Sequence, residues 1–136
     1  MKNIYEDSGT NSCGNITISN STITASSKGG AACIGTGYWN VTRVFCTLGI
    51  ISIENSTVTV KTETNSWGDV AACIGMGAVS SNSSATIQKV EIEKTTLNLT
   101  TSATYKVGKG SVFGTATITE GIFVDGKNKG TDGWNP

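Results

Sequence analysis

The chain offers few residues with which to do chemistry, and what is missing narrows its function as much as what is present. It contains no histidine, which removes Ser-His-Asp and Cys-His nucleophiles, His-bearing zinc sites and the commonest general base near neutral pH. Beyond Glu6 and Asp7 near the start, the acids are scattered as Glu54, Glu63, Asp69, Glu91, Glu93, Glu120, Asp125 and Asp132, with no tight cluster in sequence. Glu91 and Glu93 flank Ile92, so on a strand both face solvent from one side, which describes a wetted surface rather than a paired-acid site. The glycine-rich stretches carry neither a phosphate-cradling Lys-Ser/Thr nor a dinucleotide fingerprint. Cys13, Cys33, Cys46 and Cys73 lack the Cys-x-x-Cys spacing that would seed a zinc site. No enzymatic activity, cofactor or metal is expected.

The remaining candidates are aromatic. The segment Tyr38-Trp39-Asn40-Val41-Thr42-Arg43-Val44-Phe45 sets aromatic rings beside an Asn and the chain's single Arg. Ring stacking with hydroxyl-directed hydrogen bonding is what sugar recognition requires, so Tyr38, Trp39, Asn40 and Arg43 are candidate ligand-binding residues. Trp67, in Asn-Ser-Trp-Gly-Asp, is a second candidate. Trp39 and Phe45 could instead cover the open side of a core, and Trp134 is expected to cap a terminal rung.

The elements that position these residues follow from composition and repetition. Ser, Thr, Asn and Gly contribute 15, 21, 11 and 17 of 136 residues, a bias foreign to helical bundles. Ile and Val greatly outnumber Leu, which favours strands, where β-branched side chains pack well. GNITISNSTITA (Gly14 to Ala25) returns as GIISIENSTVTV (Gly49 to Val60), and AACIGTG (Ala31 to Gly37) returns as AACIGMG (Ala71 to Gly77). VEIEKTTLNL (Val90 to Leu99) with VGKG, and ATITEGIFVD (Ala116 to Asp125), read as third and fourth copies.

Within each copy two apolar residues alternate with polar ones and the next apolar residue comes five positions on, as from Ile18 to Ile23 and from Ile53 to Val58. An odd step would flip the second residue to the wrong face of a continuous strand, so a corner must intervene. Corners are expected at Asn20-Ser21, Asn55-Ser56, Lys94-Thr95 and Glu120-Gly121. Asn20 and Asn55 suit them because Asn tolerates left-handed geometry and can stack as a ladder. A third element ends in Ile34, Ile74 or Val107, followed by glycine.

One repeat cannot bury its apolar face alone, whereas stacked repeats align Ile16, Ile51, Val90 and Ala116 in one column and Ile23, Val58, Leu97 and Phe123 in another. The expected fold is all-β, a right-handed parallel β-helix of about four degenerate rungs with loop insertions. It forms a single domain over residues 1–136, with repeats near 14–37, 49–77, 85–110 and 111–126 and capping or tail segments at 1–13 and 127–136. An antiparallel β-sandwich is the alternative; it explains the bends but not the repeated third element.

The grammar ITISxSTITA, variable loop, AACIGxG resembles the parallel β-helix repeats of large surface proteins from gut and host-associated bacteria, in which AGIGxG follows an ITIxGGTVTA unit. The likeness covers about Gly14 to Asp125. It departs at Cys33 and Cys73, which stand where that pattern has Gly, and at the Asn-Ser corners. It implies a non-catalytic, secreted or cell-surface module, adhesin-like or carbohydrate-binding, with polysaccharide or host glycan as partner. The alternative is a structural spacer or self-associating segment that stacks on neighbouring domains of a larger protein.

Balanced charge, ten basic against ten acidic residues, argues against nucleic acid, and no apolar run is long enough to cross a membrane. Residues 1–9 lack the apolar core of a secretory signal, so the sequence is expected to be a piece of a larger protein. The repeat pairs Cys33 with Cys73 and brings Cys13 towards Cys46, as disulfides or as packed thiols. Outward Thr22, Thr24, Thr57 and Thr59 resemble the arrays of ice-binding solenoids, an array that Lys94, Asn98 and Val124 are expected to break.

Overall fold

A computed structural model of the protein describes residues 9–38 and 43–136. These residues form strands and no helix. The first sheet takes β1 (Gly9–Cys13) and β2 (Ile16–Ser19), then β5 (Val44–Glu54), β8 (Ser84–Glu93) and β11 (Thr115–Val124). The second takes β3 (Thr22–Ser27), β6 (Thr57–Thr62) and β9 (Thr96–Thr100), and the third takes the two-residue strands β4 (Ile34–Gly35), β7 (Ile74–Gly75) and β10 (Val107–Gly108). Every pairing between successive rungs is parallel. The chain is therefore a parallel β-solenoid of about three turns, with a fourth strand in the first sheet, and the sandwich is excluded. Two antiparallel strands, β12 (Lys127–Asn128) on β11 and β13 (Gly133–Trp134) on β10, close the C-terminal end.

Alternation supplies the core. Ile16, Ile51 and Val90 stack in register, as do Ile18, Ile53 and Ile92 in the first sheet and Ile23, Val58 and Leu97 in the second. Ile34, Ile74 and Val107 close the third side. In the middle turns Ile51, Val58, Ile74, Val90 and Val107 are wholly buried. In the first rung Ile16, Ile18, Ile23 and Ala25 are only half-buried, because among the described residues they contact a rung on one side alone.

The corners form as the odd step requires. Asn20, Asn55 and Lys94 have φ of 51°, 48° and 46°, the left-handed region that Asn adopts most readily among non-glycine residues. What stacks there is a hydroxyl ladder rather than an Asn ladder. Ser21, Ser56 and Thr95 each donate to the carbonyl two residues back, at 2.7–2.8 Å. The Ser56 hydroxyl accepts from Ser21 N at 3.2 Å, and the Thr95 hydroxyl accepts from Ser56 N at 3.4 Å.

The fourth copy is registered differently from its sequence alignment. Ala116 and Ile118 pair with Ala85 and Ile87, a strand segment that precedes the expected repeat in every rung. A bulge between Ile118 and Gly121 adds a residue, after which Ile122 and Val124 enter the columns of Val90 and Ile92. The odd step from Ile118 to Phe123 thus marks a bulge and not a corner at Glu120-Gly121; the corner is Asp125, at φ 48°. Phe123 lies opposite Glu91 rather than in the Leu97 column, and Lys89 Nζ sits 4.9 Å from its ring centre. Gly9–Cys13, assigned by sequence to a tail, is a strand pairing Val44 to Leu48.

Candidate functional site

Two aromatic segments that sequence singled out separately meet in the folded chain. Tyr38 is half-buried, packed over Gly30, and its hydroxyl reaches Asp69 and Asn65 in the loop that carries Trp67. Burial pushes the Tyr38 phenol above its usual ionisation range, and the hydrogen bond to the Asp69 carboxylate and that carboxylate's charge push the same way against a smaller effect of Asn65. Trp39 and Asn40 lie outside the described residues. Arg43 is exposed at the head of β5 with φ 63°, and Phe45 is 42% exposed on the outer face of the first sheet, not a lid on the core.

The Trp67 loop is rigid because its own side chains close it. Asn65 Oδ1 accepts from Trp67 N and Asp69 N, both at 2.9 Å, the geometry of an Asx turn. Asn65 N donates to Asp69 O at 3.0 Å, Gly68 N to Asn65 O at 3.1 Å, and Asn65 Nδ2 to Asp69 Oδ2 at 3.1 Å. Asp69 is buried, and its carboxylate is held by Asn65 and Tyr38. The base of the loop is tied to the next rung, where Thr64 Oγ1 lies 2.7 Å from Ser102 Oγ and Val70 N donates to Ser111 Oγ at 3.0 Å. Trp67 is left 70% exposed at the tip. Sequence reasoning selected Trp67 and missed Asn65 and Asp69; the signal was the Asn-x-x-x-Asp spacing around Trp-Gly.

The outer face of the second sheet carries a polar array. Thr22, Thr57 and Thr96 form one row across the rungs, Thr24, Thr59 and Asn98 a second, and Ser26, Lys61 and Thr100 a third. Lys94 lies at a corner and Val124 in the first sheet, so of the three expected interruptions only Asn98 falls in the array. An open trough of about 560 Å³ runs along the second and third rows.

The cysteines follow the repeat in part. All four are free thiols. Cys33 and Cys73 precede the paired Ile34 and Ile74, which makes them neighbours on adjacent rungs. Cys46 lies opposite Asn11, and Cys13 opposite Leu48, so that pair is diagonal rather than directly stacked. Cys73 is fully enclosed, and burial pushes its thiol up; burial, with Cys13 nearby, does the same to Cys46. Alkylation of the native protein, followed by mass spectrometry, is expected to modify exposed Cys13 first and Cys73 only on unfolding. Early labelling of Cys73 would contradict its inward placement.

Among the described residues no group of three or more His, Cys, Asp or Glu side chains could hold a metal, and no helix is long and apolar enough to cross a membrane. Trp134 pairs with Val107, packs against the core and lies under Lys129 Nζ at 5.6 Å, as expected of a cap. The fold and site define a β-solenoid that presents an aromatic loop from its side. No protein-family model matches the chain, nor does any curated protein or solved structure.

Proposed function

We propose that this chain is a non-catalytic binding module of a secreted or cell-surface protein, and that it binds carbohydrate through Trp67. The observation that carries this reading is a tryptophan 70% exposed on a loop whose backbone is already fixed by Asn65 and Asp69. An exposed indole on a mobile loop loses conformational entropy when it binds; a fixed one does not, and its affinity is correspondingly higher. Indole faces stack on the apolar faces of sugar rings, while Tyr38, Asn65 and Ser66 put polar groups near the ring in sequence or space.

Trp67→Ala is expected to lower affinity for a bound glycan about tenfold, from roughly 1.4 kcal/mol of lost stacking. Because the ring is exposed, the melting temperature should hardly move. Asn65→Ala, which frees the loop but spares the ring, should also weaken binding. A glycan array that retains no sugar, or a ligand bound equally well by Trp67→Ala, would overturn the proposal.

A second reading, a spacer that stacks against neighbouring rungs, is favoured by the first rung. Its Ile16, Ile18 and Ile23 are half-exposed, whereas Ile51, Ile53 and Val58 in the same columns are buried.

A further inference from the structure

We infer that the trough across β3, β6 and β9 is a second subsite, which takes a linear, uncharged polysaccharide lying along the solenoid axis. The inference rests on the carbohydrate reading of Trp67 and names the class of glycan.

Alternation turns Ala25, Val60 and Leu99 towards the core, so the trough meets them through their backbone, between two outward rows. One row is Thr24, Thr59 and Asn98; the other is Ser26, Lys61 and Thr100, and all six side chains are exposed. Hydroxyl, amide and ammonium groups can donate to the hydroxyls of a sugar, and all but the ammonium can also accept from them. The trough crosses the strands, so a ligand following it advances one rung for each strand passed. Rungs repeat at about 4.8 Å, close to the length that one pyranose adds to an extended β-linked chain. Successive sugars can therefore meet equivalent pairs of side chains, which a branched or tightly coiled glycan cannot do.

Charge sets the second half of the specificity. Lys61 is the only charged residue lining the trough, and its ammonium lies 3.1 Å from Glu63 Oε1. An anionic polymer would have to compete with that carboxylate, so the site favours a neutral chain. Trp67 stands six residues beyond Lys61 on the same segment, within roughly 20 Å even if the chain were extended. A planar lattice such as ice fits less well, because the face is concave and Asn98 and Lys61 interrupt its threonines.

The test is calorimetric titration of the full chain with short and long cello-oligosaccharides, with dextran and with oligogalacturonate. Affinity is expected to rise with cello-oligosaccharide length, and neither dextran nor oligogalacturonate should match the long oligomer. Thr59→Val keeps shape and strand propensity but removes a hydroxyl; it should cost about fivefold for the long oligomer and leave the short one unaffected. Thr59→Arg should block the long oligomer further, with melting temperatures confirming that both variants fold. Length-independent affinity, or a long oligomer indifferent to both variants, would remove the trough while leaving the Trp67 proposal to stand on its own variant. Preference for oligogalacturonate would overturn the neutral-chain assignment. Inhibition of ice recrystallisation that Thr59→Arg abolishes, without sugar binding, would assign the face to ordered water and overturn both readings.

Discussion

Ile53→Asp is expected to abolish folding. Ile53 is 1% exposed, stacked between Ile18 and Ile92 in the middle of a column with no polar partner. A carboxylate placed there must be buried unpaired or take up a proton, and either route costs several kcal/mol. It also exchanges a packed isoleucine for a smaller side chain, with a further loss of about 2 kcal/mol or more. Against a total stability that for domains of this size is about 5–15 kcal/mol, the sum leaves little or no native population. Circular dichroism should show loss of strand signal, or urea unfolding should lose its cooperative transition. The informative control is Ser52→Lys on the outer face, where the register places the new side chain between Thr17 and Glu91. Ser52→Asp is a poorer control, since it would set a second carboxylate directly beside Glu91. A variant at Ile53 that unfolds at the wild-type urea concentration would overturn the inward assignment of this column.

Gly75→Ala is expected to cost about 1–3 kcal/mol from backbone strain, and more once the steric clash is added. Gly75 has φ 125°, a conformation that side-chain-bearing residues scarcely adopt. A Cβ built there would lie 2.3 Å from the carbonyl oxygen of Gly108 on the next rung. Relief requires the third sheet to open, and with it the Met76 N to Gly108 O bond of 2.8 Å. Gly37→Ala provides the comparison, because a Cβ there has open space and its φ is not in the positive range. Equilibrium unfolding in urea should separate the two variants widely; similar midpoints would show that the rungs can move apart at Gly75 without cost.

The fold was legible where side-chain period and turn chemistry agreed. The Ile18-to-Ile23 and Ile53-to-Val58 steps located the left-handed corners to the residue, and AACIGxG located the third sheet. The fourth copy was misaligned because an odd spacing has two physical causes, a corner and a bulge, and spacing alone does not distinguish them. At Ile118 the bulge wins, and the true corner falls at Asp125, whose Oδ1 accepts from Lys94 N at 2.9 Å. The strand segments before the second and third copies were missed since Cys46 and Ala85 are small and give a weak apolar signal, and the equivalent segment at Ala116 was taken for the start of a repeat. For the site, Trp67 could be named from the sequence, but its rigidity depends on Asn65 closing onto Asp69 and on Tyr38 arriving from the previous rung. The second of these is a tertiary contact that no local pattern encodes. The trough emerged only with the register, which took Lys94 to a corner and Val124 to the first sheet and left Asn98 as the one expected interruption within the array.

The reversal of chain direction at β12 and β13 has a consequence for aggregation. Parallel edges of identical pitch are templates on which another molecule can add end to end, the geometry by which cross-β fibres lengthen. Here the last rung offers β12 over part of the first sheet and β13 over the third, both running the opposite way and both short. Lys109 bonds to Asp132 at 2.6 Å, and Asn135 bonds to Lys106 and Thr104, which fastens this closure across the end of the coil. On these two faces a second molecule adding end to end would meet short strands of the opposite direction, which disfavours growth of a filament there, while β9 keeps its edge unpaired among the described residues.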